Sequence, residues 1–252
     1  DFPTAARLRE GLTLLDGAAT TETQWKYSNL ALALAGDIVQ AVSGEPYAAY
    51  VKGHILDPLG MKDTLVLSPA PDDPRLARAY GRRMPDGSRA PAPHVDTRGI
   101  SAAANMTTSV TDLARFAMLQ LRDASVSAAQ ILRGSTLREM QRIHWLEPDW
   151  QAGWGLGFRI QRLGGKTSFG HGGSLPGYRT QLRIWPAEKL AVIAMTNADA
   201  ARAFIDAFNR HDLDAFAMTV HPEVELHAAR GVRVGVDLAT GWSLVVVVVG
   251  AV

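Results

Sequence analysis

From Leu30 to Val42 the apolar positions recur with a helical period. Leu30, Leu34, Ile38, Ala41 and Val42 fall on one stripe, with Ser28 or Asn29 available as N-cap and Gly44 as the stop. A second helix is expected from Pro46, a favoured first-turn residue. It carries Tyr47, Tyr50, Val51 and Ile55 on one face and ends before Pro58-Leu59-Gly60-Met61. Ser109, three residues before Asp112, has the spacing of a capped start for a third helix to Leu121, with Leu113, Phe116, Ala117 and Leu121 inward. Ser135 opens a fourth, through about Ile143. Six of the thirteen prolines lie between residues 67 and 93, which predicts a long loop there.

After Trp150 the pattern shortens. Residues 153–160, 167–172, 178–185 and 190–196 are aromatic or β-branched runs separated by Gly or Pro, as strands are. Leu182 and Ile184 alternate with Gln181, Arg183 and Trp185, the pattern of a half-buried antiparallel strand. Leu190 to Met195 is apolar on both faces and predicts a central strand. Residues 200–209 return to a helical stripe of Ala201, Phe204, Ile205 and Phe208. Val245 to Val249 is apolar, uncharged and free of proline, hence adhesive unless it pairs as an added strand. Helices, then an antiparallel meander, then a helix define an α+β chain and exclude a regular βαβ alternation.

Composition narrows the partners. The 252 residues are 47% hydrophobic and 20% charged, with a formal net charge of +1, which excludes wholesale disorder and gives no reason to expect nucleic acid or an anionic membrane surface. The longest apolar run, Leu244 to Val252, is too short for a membrane-spanning helix. Without cysteine there is no disulfide framework, no thiolate zinc site and no Cys nucleophile. The chain opens at Asp1 without a signal-peptide pattern, and its compartment stays undetermined.

Two places carry candidate chemistry. Tyr27-x-Asn29 stands at the mouth of the first helix. Beside a cation a Tyr phenol can ionise and take a proton from a hydroxyl, and an Asn amide can donate to a substrate carbonyl. The same residues also serve as an aromatic staple and an N-cap. His171-Gly172-Gly173-Ser174 falls on an expected strand, where small residues let a ligand lie against the strand edge and backbone N–H groups can hold an oxyanion. A strand simply ending in a Gly turn has the same sequence. Near the C-terminus, His221, His227, Glu223 and Glu225 have the residue types of a metal site, but alternating polar residues on a strand are the expected reading, and no metal site is assigned.

Taken in order, Trp25-x-Tyr27-Ser28-Asn29-Leu30, Val42 to Tyr47, Ile55 to Thr64, Met106 to Phe116 and Phe169-Gly170-His171-Gly172-Gly173 resemble the serine β-lactamase-like superfamily, which includes class C β-lactamases, DD-peptidases and related esterases. The resemblance implies an antiparallel sheet with helices plus a helical subdomain over residues 1–197, and acyl-enzyme hydrolysis of a small ester, amide or β-lactam that needs no cofactor or metal. It implies proton transfer for Tyr27 and substrate positioning for Asn29. His171-Gly172-Gly173 matches the family's substrate-binding strand, which in β-lactamases and peptidases is usually Lys-Thr-Gly, and Ser174 stands where the family supplies an oxyanion-hole N–H. The His in place of Lys favours an esterase or peptidase over an antibiotic hydrolase.

The resemblance has one gap. Its chemistry needs Ser-x-x-Lys, a nucleophile with a Lys one turn later, and no Ser in this sequence has Lys three residues on. Only 26 residues precede Tyr27, whereas the family places that motif well upstream. The expectation is an N-terminally incomplete fold, inactive alone. A non-catalytic binding protein that keeps the cleft, or an inactive fragment or chimera, is the alternative. Residues 201–235 resemble the opening of a SnoaL-like (nuclear-transport-factor-2-like) domain, so a boundary is expected between residues 1–197 and 198–252.

Overall fold

In the computed structural model, which describes residues 2–12, 20, 22–122, 131–199 and 244–250, the chain divides into two units, Asp1–Asp73 with Val95–Asp112 and Pro74–His94 with Leu113–Val252. The first unit is helical. After α1 (Ala5–Leu12) comes α2 (Asn29–Ser43), and its bounds follow from two residues. Ser28 is extended, with φ −146° and ψ 109°, and its Oγ accepts from the Ala31 N–H at 3.1 Å. Gly44 takes φ 74°, a left-handed conformation that glycine adopts without steric cost, and closes the last turn with its N–H on the Gln40 carbonyl.

The face that α2 buries differs from the expected stripe. Ala33 and Gly36 are buried, whereas Ile38 is 62% and Val42 82% exposed. The reason is the neighbour. Gly36 lies so close to α5 (Ser101–Ala104) that a Cβ added to it would overlap the Ala102 methyl and come within 3.5 Å of the Tyr47 ring. Small residues allow that approach, and the larger side chains fall on the opposite side.

The second helix is composite: α3 (Tyr47–Val51), a π-helical turn (Lys52–Leu56) and α4 (Asp57–Leu59). It runs through Pro58 instead of ending before it. A proline inside an α-helix has no N–H to give and strikes the carbonyl four residues back. The wider turn ahead of Pro58, closed by the Asp57 N–H on the Lys52 carbonyl, accommodates the ring. Gly60 ends the helix at φ 69°.

Beyond it, the segments Ile55 to Thr64 and Met106 to Phe116 prove to be partners. Leu65 and Thr107 exchange two backbone hydrogen bonds, of 2.8 and 3.0 Å. Fully buried Asp112 accepts from the Asp63 N–H at 2.8 Å and from Thr64 Oγ1 at 2.9 Å, both on Oδ2. The Asp112 N–H in turn donates to Ser109 Oγ at 3.2 Å, so Ser109 caps α6 (Val110–Leu121) as its spacing predicts.

The second unit contains a surprise in the proline-rich stretch. Where a loop alone was expected, β1 (Tyr80–Arg83) and β2 (Arg89–Pro91) form a hairpin across Asp86-Gly87. The Asp-Gly turn signal was present among the prolines. On α6 the buried residues are Val110, Asp112, Ala114, Ala117, Leu119, Gln120 and Leu121, so Ala117 and Leu121 face inward as expected, while Leu113 and Phe116 are only half-buried. From α7 (Gly134–Gln141), Gln141 Nε2 donates to the Gln120 carbonyl and side chain at 3.0 and 3.1 Å. Helix α7 stops at Gln141, short of Ile143, because Arg142 is extended and the His144 N–H already pairs with the Trp154 carbonyl.

Among the described residues seven antiparallel strands follow in chain order: β3 (Trp145–Leu146), β4 (Ala152–Trp154), β5 (Arg159–Leu163), β6 (Lys166–Leu175), β7 (Tyr178–Trp185), β8 (Leu190–Thr196) and β9 (Leu244–Gly250). Residues 153–160, expected as one strand, are divided between β4 and β5 by a turn in which Gly157 takes φ 80°. Strands β7 and β8 have the expected bounds, and β9 pairs with β8 along its whole length. Ile160, Phe169, Leu182, Ile184 and Ile193 form the core of one sheet face, with the Phe158 and Phe169 rings edge-on at 5.0 Å. At its C-terminal end β7 is buried on both faces, Arg183 and Trp185 included, not half-buried as alternation suggested. The helix expected over 200–209, the SnoaL-like stretch and the His221, Glu223, Glu225 and His227 group lie outside the described residues.

Candidate active site

Each unit carries one of the two candidate motifs. In the first, Ser28 rather than Asn29 caps α2, so the capping role considered for Asn29 is taken. Asn29 is the first helical residue and is exposed. Tyr27 precedes the cap and is 45% exposed, its ring 6.3 Å from that of Trp25. Leu32, where a hydrophobic staple would meet Tyr27, is also exposed, so no buried staple forms. Both motif side chains therefore stand at the solvent-facing mouth of the helix, on a turn fixed by the Ser28 cap.

In the second unit the motif lies on β6, where the strand passes from buried to exposed: Ser168, Phe169 and Gly170 are buried, and His171 to Ser174 are exposed. Gly170 is required by proximity, since a Cβ there would overlap the Leu182 carbonyl of β7. Register then makes the decisive point. Strand β6 pairs with β7 from Phe169 to Leu175, but with β5 only from Lys166 to Gly170. Among the described residues, His171 to Leu175 thus have a strand neighbour on one side alone. In an antiparallel strand every second residue directs its N–H and C=O to a given side, so this segment presents main-chain donors and acceptors along an open edge.

His171 is oriented locally. Its Nδ1 donates to the Gly172 carbonyl at 2.6 Å, and in the neutral ring Nε2 is then the acceptor nitrogen. The Trp154 ring lies 6.2 Å from the imidazole. Trp154 is itself held by Nε1–H donation to Glu147 at 2.9 Å, and Glu147 pairs with Arg159 at 3.3 Å. Sequence reasoning passed over this Trp154–Glu147–Arg159 chain. The only signal for it is the placement of Trp154 opposite Arg159 in a tight hairpin, which no periodicity reveals.

An antiparallel sheet accompanied by a helical unit, with a glycine-rich strand exposed at its edge, is the architecture of β-lactamase/transpeptidase-like proteins, and comparison with known proteins agrees. The Beta-lactamase family profile matches residues 6–215. The chain belongs to this family, within the serine β-lactamase-like superfamily. It is 24% identical over 209 residues to penicillin-binding protein 4 of Amycolatopsis lactamdurans, covering 81% of this chain and 55% of that protein. Among solved structures, D-amino acid amidase from Ochrobactrum anthropi SV3 complexed with D-phenylalanine is 25% identical with a TM-score of 0.65, over 86% of this chain and 69% of that one. A class C β-lactamase from Rhodobacter sphaeroides shares the fold at a TM-score of 0.69 and 18% identity, over 86% of this chain and 66% of that one.

The chain spans 55% or less of the length of the curated relatives it matches. The family match continues beyond Asn197 to residue 215 and takes in the start of the stretch expected to resemble a SnoaL-like domain, a resemblance these likenesses do not support. No helix among the described residues is long and apolar enough to cross a membrane.

Proposed function

We propose that this chain carries the substrate-holding and proton-transfer parts of a serine hydrolase that opens a small ester or amide through an acyl-enzyme, the nucleophile coming from a Ser-x-x-Lys segment outside residues 1–252. The observation that carries the reading is the one-sided pairing of β6 at His171-Gly172-Gly173-Ser174 in a member of the Beta-lactamase family. An extended substrate lies along that edge by main-chain hydrogen bonds, and the absence of side chains at Gly172 and Gly173 keeps the approach open. The Ser174 N–H stabilises the developing oxyanion, Tyr27 transfers the proton to and from the nucleophile, and Asn29 positions the substrate's amide or ester group. His171 gives weaker purchase on a ligand carboxylate than the ammonium of a Lys, which favours substrates other than carboxylate-bearing β-lactams. The D-amino acid amidase and D-aminopeptidase relatives point the same way, toward small amides such as those of D-amino acids.

Two assays test it. The 252-residue chain alone should neither hydrolyse D-phenylalanine amide or a p-nitrophenyl ester above buffer nor react with a fluorophosphonate probe. Stoichiometric labelling of a Ser in this chain would overturn the assignment of the nucleophile. With a family segment bearing Ser-x-x-Lys joined ahead of Asp1, hydrolysis should appear, and Tyr27→Phe should then lower kcat by roughly 10²–10⁴-fold with little change in KM. Equal rates for Tyr and Phe would return Tyr27 to a packing role. Binding of the amide without turnover in the joined protein would make this a binding protein instead.

A further inference from the structure

Three arginines share the face of the sheet opposite His171: Arg159 on β5, and Arg179 and Arg183 on β7. The assignment follows from register, since Arg159 pairs with Gly170 and Gly170 with Arg183, and from the two-residue period of a strand. Two of the three have a carboxylate. Arg179 forms an ion pair with Asp199 at 2.7 Å, and Arg159 with Glu147 at 3.3 Å. Arg183 has none among the described residues. It is 4% exposed, and its Nε and Nη1 are buried without an acceptor.

A guanidinium so placed is under electrostatic pressure. Burial, and secondarily the charge of Arg159, bring Arg183 down to about 10, well below the usual arginine range. Between the two arginines stands Gly170, which adds no side chain to the row. Buried cations are ordinarily paired, and a planar guanidinium fits the oxygens of a carboxylate or phosphate. From this juxtaposition we propose that the row Arg159–Gly170–Arg183 is a binding site for one oxyanion, a carboxylate or a phosphate, with Arg183 as its principal donor. The row lies on the face of β6 opposite that of His171.

Thermal melting of the full chain, at constant ionic strength in chloride buffer with increasing acetate in one arm and inorganic phosphate in the other, tests the proposal. The Tm of the unsubstituted protein should rise to saturation in at least one arm, by about 3 °C at ten times the half-saturating concentration. Which arm responds identifies the preferred anion. Arg183→Met removes the unpaired buried charge, so it should melt higher than the unsubstituted protein in oxyanion-free buffer and show no rise. An equal rise in Arg183→Met would reduce the effect to general salt stabilisation and overturn the site. A flat response of the unsubstituted protein, together with a destabilised Arg183→Met, would mean that Arg183 is already paired within the chain, which also overturns it. Should Arg183→Met not fold, the Nε–H signals of ¹⁵N-arginine-labelled protein decide. The resonance missing from Arg183→Lys must shift along the same saturation curve, and its failure to move refutes the proposal.

Discussion

Asp112 is the most demanding test of how the first unit is held together. Its buried carboxylate receives two donors on one oxygen, the Asp63 N–H at 2.8 Å and the Thr64 hydroxyl at 2.9 Å. Hydrogen bonds to a charged acceptor contribute about 1.5–3 kcal/mol each, and a buried donor left without a partner costs about 1–3 kcal/mol. These terms belong to one network and do not add. The Thr64 hydroxyl also has an alternative partner in Thr108 Oγ1 at 2.7 Å, so the Asp63 N–H is the group most exposed to loss. Asp112→Ala should therefore destabilise by about 3–4 kcal/mol. Asn keeps an oxygen that can take the Oδ2 position, and Asp112→Asn should lose only about 1–2 kcal/mol. Thr64→Val, which removes one of the two donors, should lose about 1 kcal/mol. Urea unfolding followed by tryptophan fluorescence gives the three values, and their order is the critical observation. If Ala costs less than about 1 kcal/mol, or if Asn is as damaging as Ala, the two donors do not depend on this oxygen and the account of the junction fails.

Two further expectations concern packing and pH. Gly36→Ala gains about 1 kcal/mol of helix propensity but must push α2 from Ala102, at a cost of about 1–3 kcal/mol. Adding Ala102→Gly should recover most of any loss, and a double-mutant cycle with no coupling would show that the helices do not meet there. Glu139 is held below the usual carboxylate range, first by hydrogen bonds from Arg142 and then by the charges of Arg142 and His144. Its stabilising contribution is therefore present above the unfolded-state pKa and disappears as pH falls through the lowered folded value. Glu139→Gln should melt below the unsubstituted protein at neutral pH and converge with it in acid, and parallel melting curves across that range would refute the pairing.

Local chemistry was the legible part of this sequence. Ser28, Gly44 and Ser109 mark helix ends because capping depends on one side chain or one dihedral angle, and β7 and β8 stand out because their apolar runs are flanked by Pro, Gly and Lys. The buried face of α2 was not legible. Hydrophobic count points to Ile38 and Val42, but the buried positions are Ala33 and Gly36, the latter facing the Ala102 methyl of α5. Helix α6 departs in the same way, with Leu113 and Phe116 half-buried and Ala114 and Leu119 buried. At the candidate site the identity of the residues on β6 was visible, but the shortness of β5 beside it was not. That property belongs to a turn at residues 155–158, in a stretch that reads as one strand. Arg183 was placed on the polar side of an alternating strand, and only the tertiary fold shows that side to be buried.

The order of the strands has a consequence for how the sheet is made. From β3 to β8 each strand pairs with the next one in the chain, so every closure is a hairpin of a few to several residues, and none waits for a distant partner. Such ladders form on the microsecond scale and pay little loop entropy. The β8–β9 pair is different, because 47 residues, 197–243, separate its strands. By the logarithmic growth of closure entropy it begins at a disadvantage of about 2 kcal/mol or more against a hairpin of a few residues. The six-strand meander that presents the His171 edge can therefore assemble first, as a template on which the C-terminal strand condenses last.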